Sequence, residues 1–237
     1  MIALLRYYSS YYLRSFKGIP PLSLFVLAVA VNYAYTPNPI LDSYAFTSLL
    51  LFFVMGWVTM TVLHIEDARQ QQITLLHAGN PRTYYAAHFL LCMAIGLFLS
   101  VFAVVYPIVF NGFGVKTTFV HIVLGILSHL SLAMLSTALS AWFTREWVAN
   151  KANTWWGILS VLIFSVAIAS VKSKLLVWQL LLWLLPPVHL CLKIMGADDG
   201  LAKIPLVFIL QFGWIMLYSL LGILAFLIAV RHRHTMR

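Results

Sequence analysis

The chain has 237 residues, 62% of them hydrophobic and 9% charged, with a mean hydropathy of +0.94. A soluble domain is about half apolar and about a quarter charged, so the composition excludes a large soluble domain and indicates a polytopic membrane protein. The formal net charge of +9 falls in loops and termini, where it suits attraction to headgroups and calls for no nucleic-acid partner.

Residues 1–19 do not read as a span, because Arg6, Arg14 and Lys17 interrupt them. On a helix, Leu4, Tyr8, Tyr11 and Tyr12 fall near one another. That pattern predicts an interfacial helix at the headgroups with its aromatics dipping in. Pro20-Pro21 is expected to end it. No compact apolar core followed by a small-residue cleavage site is present in these residues, so no removable signal peptide is expected.

Runs long and apolar enough to cross a bilayer follow at about 21–36, 43–64, 84–110, 118–143, 154–172 and 204–230. The first is short and closes on Thr36-Pro37-Asn38-Pro39, and the third stops at Asn111-Gly112. Between the fifth and sixth, the apolar run 175–185 is too short to cross and is broken by Pro186-Pro187. Residues 175–185 and 188–195 therefore read as two short helices dipping into one leaflet, the alternative being a seventh, kinked span. Cys92 and Cys191 read as unpaired apolar fillers.

With six spans, one side holds the N-terminus, the 65–83 and 144–153 loops and the C-terminus. That side carries every arginine, together with Lys17 and Lys151. Lys116, Lys172, Lys174, Lys193 and Lys203 fall on the other. The positive-inside rule then places both termini in the cytoplasm.

The polar loop 65–83 interrupts this oily pattern. Ile65, Ala68, Gln72, Leu75 and Leu76 are spaced for one helical face. Glu66 and Asp67 lie where a helix N-terminus favours acids. Gly79 is a natural stop, with Pro81 just beyond. The loop thus predicts a short amphipathic cytosolic helix, either an ordinary surface helix or a docking helix for a cytosolic partner.

The run "IEDARQQQITLLHAGNPRTYYAAHFL" resembles the first intracellular loop of type-2 ATP-binding-cassette (ABC-2) permeases. Glu66, Gln72, Thr74, Leu75, Leu76, Asn80 and Pro81 follow that family's order of an acidic opening, a Gln/Gly-Thr-Leu-like stretch and a proline. The sequence departs in reading "EDARQQQIT" where many members carry an "ERE"-like opening and a Gly before the Thr.

The resemblance implies an all-α polytopic fold forming a single transmembrane domain over 1–237. It would have six transmembrane helices, an N-terminal interfacial helix and a broken re-entrant hairpin (173–203) before the last span. It implies that the loop is a coupling helix seated in a cleft of a separate ATPase subunit. Ile73, Leu75 and Leu76 would be its apolar knobs, and Glu66, Asp67, Arg69 and Arg82 its register-setting charges, with Gln72 and Pro81 in the motif. Arg145, Glu146 and Trp147 would make a second cytosolic contact. The outer hairpin, with Trp183, Pro186 and Pro187, would gate or line the exit.

The chain has no Gly-x-x-x-x-Gly-Lys-Ser/Thr loop to cradle phosphates, so it is expected to bind no cofactor and to be no enzyme itself. ATP and Mg would belong to a dimer of partner ATPase subunits, beside a second or related permease copy. None of the expected spans carries an acid, which argues against an ion-coupled carrier. Few charges and many aromatic and small polar residues suit a lipid-facing path for an amphiphilic cargo such as a peptide, antibiotic or lipid-like molecule. The small residues of "LSHLSLAMLSTALSAW" suit close helix packing or a dimer contact.

Two other function classes remain open. One is an intramembrane protease of the Glu-Glu-x-x-x-Arg type, for which the chain offers Glu66-Asp67 and Tyr84-x-x-x-His88. Gln71 holds the place of the required arginine, however, and Arg69 is out of register. The other is a non-transporting accessory subunit. His121 and His129 lie two turns apart on one predicted span, which raises metal ligation, but His121, near the outer boundary, reads more readily as interfacial. The tail "RHRHTMR" reads as a basic topology anchor.

Overall fold

The computed structural model describes residues 1–168 and 185–235. Among these the chain is helical, with one isolated bridge between Asn38 and Phe113 and no strand. The helices are α1 (Ile2–Ser15), α2 (Ile19–Asn32), α3 (Ile40–Leu63), α4 (Ala68–Ala78), α5 (Pro81–Val109), α6 (Phe119–Ala141), α7 (Lys151–Ala167), α8 (Val188–Met195) and α9 (Leu206–Thr235).

Four of them, α3, α5, α6 and α9, are long and apolar enough to cross a membrane. The pair α1 and α2, bent by 75°, makes a fifth if counted as one span. Helix α7 is apolar but shorter. The protein is thus a membrane-spanning helical bundle.

Two expectations about the N-terminus need correction. The prolines do not end α1. It closes earlier, at Phe16 in the left-handed region (φ 55°), and Pro20 and Pro21 occupy the first turn of α2. A proline is harmless there, because the N–H it lacks has no intrahelical partner. The expected run 21–36 is a helix only over Ile19–Asn32. Tyr8 and Tyr12 of α1 are buried, and α1 packs on α5.

Helices α3 and α6 form the centre. They are joined by small polar side chains that need close approach. Ser136 Oγ donates to the Phe52 carbonyl at 2.5 Å, Thr59 Oγ1 to Thr137 Oγ1 at 3.2 Å, and His129 Nε2 lies 3.0 Å from Thr47 Oγ1. The Ser/Thr-rich stretch is therefore an internal seam of this chain. Helices α5 and α9 flank α6, while α2 and α7 lie against α3. The most apolar window of α3 is 67% buried and that of α9 is 28% buried, so the rest of the chain leaves most of α9 uncovered.

The bundle has two distinct ends. At one, Tyr7 reaches Glu66, Arg145 reaches the Glu66 carbonyl, and Arg233 reaches the Glu146 carbonyl. The N-terminal helix, the α3–α4 link, the α6–α7 link and the end of α9 therefore share the arginine-rich end. At the opposite end, Asp199 accepts the backbone N–H groups of Ile40 and Leu41. The His121 ring, at the start of α6, lies 2.9 Å from the Asp199 carbonyl.

Helix α8 follows Pro186 and Pro187 at this end, and Cys191 Sγ sits 3.9 Å from the Ser128 carbonyl. Pro187 is buried and serves as the N-cap of α8. The expected helix 175–185, Leu185 apart, and Trp183 with it, lie outside the described residues. Cys92 and Cys191 are both free and buried.

Candidate functional site at the arginine-rich end

Helix α4 is built as the sequence suggests. Asp67 is its N-cap, accepting from the N–H groups of Arg69 and Gln70 at 2.9 and 2.8 Å. Those bonds, the Gln70 one first, hold the Asp67 carboxyl below its ordinary value. At the other end Gly79 takes φ +64°, a backbone region that a β-carbon disfavours. Asn80 then caps α5, whose first residue is Pro81.

The orientation of α4 departs from the expected face. Thr74 is buried, Gln71 and Leu75 are half-buried, and Gln72, Ile73 and Leu76 point outward. Ile73 is 50% and Leu76 81% exposed. Gln71 and Thr74 turn toward the protein beside Leu75 and Ala78, which pack on the core, while Ile73 and Leu76 stand outside beside Arg69, Gln72 and His77. Gln71 and Thr74 turn inward because part of the surface under α4 is a cluster of hydroxyls and carboxylates.

Glu66 is at the centre of that cluster, 2% exposed. Its Oε1 accepts from Tyr7 at 3.0 Å and Thr74 at 2.7 Å, and its Oε2 accepts from Tyr84 at 2.8 Å. Three donors replace the lost hydration, as a buried carboxylate requires. Burial and the Glu66 carboxylate hold the Tyr7 phenol above its ordinary value, so it stays a donor.

Glu146, also buried, forms a second node. Tyr85 donates to its Oε1 at 2.8 Å and accepts from Gln71 Nε2 at 3.2 Å, while His234 Nε2 lies 3.4 Å from the same carboxylate oxygen. Arg233 sits 5.1 Å above the Trp147 ring, within cation–π range.

The residues singled out in the sequence thus divide. Arg69, Gln72, Ile73, Leu76 and Trp147 are exposed, as is the capping Asp67. Leu75, Pro81, Arg82 and Arg145 are half-buried. Glu66 and Glu146 are turned inward, so neither carboxylate forms part of an outward-facing contact surface. Spacing alone misses Tyr7, Tyr84 and Tyr85 as their partners. The tyrosines preceding a span invite an interfacial-belt reading.

Both Glu66 oxygens are occupied by hydroxyls and Asp67 points outward as a cap, so these acids do not pair over a water. The His88 Nδ1 lies 3.0 Å from the Tyr84 carbonyl in its own helix. Among the described residues no group of three or more His, Cys, Asp or Glu side chains is placed to hold a metal. His121 and His129 instead bond to backbone and to Thr47. Compared with known proteins, the chain matches no protein-family model, and no curated protein or solved structure matches it either.

Proposed function

We propose that the chain is the permease subunit of an ABC-2 type exporter, with α4 as its coupling helix. In this reading α2, α3, α5, α6, α7 and α9 make six passages of the plasma membrane, and the arginine-rich end with both termini is cytoplasmic. Helix α8 and the segment leading from it to α9 lie on the outer side. A dimer of separate ATPase subunits supplies the energy with ATP and Mg. A second permease copy completes the path for an amphiphilic peptide, antibiotic or lipid-like cargo.

The observation that carries the reading is the pair of exposed aliphatic side chains on α4, Ile73 and Leu76. A short helix with Gln71 and Thr74 inward and Ile73 and Leu76 outward leaves aliphatic surface uncovered in water. Burial of Leu76 by a partner is worth about 1.5–3 kcal/mol, and of the half-exposed Ile73 about half as much. The helix is anchored by Asp67, Glu66 and the Gln71–Tyr85 bond, so a push on its outer face is passed to the bundle. Glu66 and Glu146 hold the coupling elements in place, and the partner meets Arg69, Gln72, Ile73, Leu76 and Trp147.

The test is a mild-detergent purification of the tagged chain from its native cell. A stoichiometric soluble ATPase should co-purify, and the double variant Ile73→Asp/Leu76→Asp should lose it while remaining folded in the membrane. Recovery of the chain without an ATPase from intact membranes would reject the reading. So would an ATPase whose association the double variant leaves unchanged.

A further inference from the structure

An apolar groove of about 490 Å³ lies between α2, α3 and α7. Leu24, Phe53, Trp57, Trp156 and Leu159 line it, and Trp155 stands at its inner mouth. Trp57, Trp155 and Trp156 are 38%, 44% and 68% exposed, so the groove opens sideways, toward lipid in a membrane.

Trp155 also lines a second cavity of about 310 Å³, together with Lys17, Thr61, His64 and Arg145. The two spaces are consecutive along one helix. Val54, Trp57, Thr61 and His64 follow a single face of α3, leading from the apolar groove to the arginine-rich end.

The inner cavity is cationic. Among the described residues no acid lines it. The Glu66 side chain turns away to Tyr7, Thr74 and Tyr84. Asp67, whose carboxyl feels Arg145, caps α4 outside it. Lys17 Nζ covers the His64 and Ile65 carbonyls at 3.5 and 3.0 Å, offsetting the negative end of α3. Arg145 spends one guanidinium nitrogen on the Glu66 carbonyl at 2.9 Å. Lys and Arg side chains carry three and five N–H donors, so both keep donors for an anion. Thr154, in the first turn of α7, brings the positive end of that helix to the same cavity.

We propose that this composite site binds an anionic phospholipid. The phosphate sits between Lys17 and Arg145, whose backbone N–H is taken by His64 Nε2 at 3.2 Å, and one acyl chain lies along Trp57, Trp155, Trp156 and Leu159. Charge complementarity at one end and an apolar trough at the other select an amphiphile over a free anion. The inference rests on the membrane-spanning bundle and these two cavities, not on the coupling role of α4.

The test uses the purified full chain in neutral detergent, with retained lipid read by native mass spectrometry. Dioleoyl phosphatidylglycerol should be retained at least about tenfold more strongly than dioleoyl phosphatidylcholine, as expected for two or more basic groups near a headgroup. Lys17→Gln should weaken phosphatidylglycerol by about fivefold, one basic group's share. Leu159→Trp, which fills the trough without touching the cations, should weaken it as well, with helix content by far-UV circular dichroism unchanged. Equal retention of the two lipids overturns the proposal. So does phosphatidylglycerol retention that neither variant changes. Displacement by inorganic phosphate with Leu159→Trp silent would make it a plain anion site, which also overturns it.

Discussion

Asp199 and Ile40 are 159 residues apart, yet the Asp199 carboxylate accepts the Ile40 N–H at 2.8 Å and that of Leu41 at 2.9 Å. The N-cap of α3 is thus supplied from the segment between α8 and α9. Pro39, the residue in the cap position, makes no side-chain capping bond. Asp199→Ala should cost about 1 kcal/mol, the usual loss of a side-chain cap, and Asp199→Asn clearly less. Hydrogen exchange at Ile40 and Leu41 reads the effect directly. Unchanged exchange there in the alanine variant would show that the cap contributes nothing.

Glu66 makes a larger prediction. Tyr84→Phe removes one hydrogen bond to a buried carboxylate and should cost about 1.5–3 kcal/mol. Glu66→Ala should cost more, because the hydroxyls of Tyr7, Thr74 and Tyr84 all lose their acceptor. Thermal unfolding in detergent ranks them. A Glu66→Ala variant no less stable than Leu76→Asp, at an 81% exposed position, would contradict the cluster's structural role.

Helix α4 should loosen in acid. The Asp67 carboxyl titrates below its ordinary value because its charged form accepts two backbone N–H groups. Its capping contribution is therefore complete above the unfolded-state value, about 3.9. It is lost as pH falls through the lower folded value. Amide exchange in α4, corrected for intrinsic rates, should rise across that window in the native chain. The Asp67→Ala variant should exchange faster at neutral pH and show no such step.

Two glycines should respond oppositely to substitution. At Gly125 a β-carbon would come within 3.0 Å of the Tyr44 ring and of Val104, both fully buried. Gly125→Val therefore overpacks the junction of α3, α5 and α6 and should cost about 1–3 kcal/mol. At Gly213 a β-carbon meets open space, and Gly213→Ala should stabilise α9 by up to about 1 kcal/mol. Unfolding midpoints moving in the same direction would refute the packing described around Gly125.

Hydropathy made α3, α5, α6 and α9 readable to within a few residues, because a bilayer demands length and apolarity that few other structures need. The ends of α4 were equally readable: Asp67 and Gly79 act through local backbone chemistry. Its outward face was not. Periodicity puts Leu75 and Leu76 on one face, and here Leu75 packs on the core while a polar cluster draws Thr74 and Gln71 inward and leaves Leu76 outside. That cluster is assembled by Tyr7, 59 residues before Glu66 in the sequence, and by Tyr84, 18 residues after it. Short α2 and the bend at Phe16 were hidden for a related reason. Proline marks a discontinuity without saying on which side of it the helix lies.

Tyr84 and Tyr85 are neighbours in the first turns of α5, and successive side chains on a helix diverge by roughly 100°. One grips the link before α4 and the other the link before α7, with Gln71 of α4 tied to the second. Two adjacent phenols therefore act as a yoke. If α4 tilts, the strain falls on Glu66 and Glu146 together, and loops separated by some eighty residues of sequence must shift in step or break a bond to a buried carboxylate.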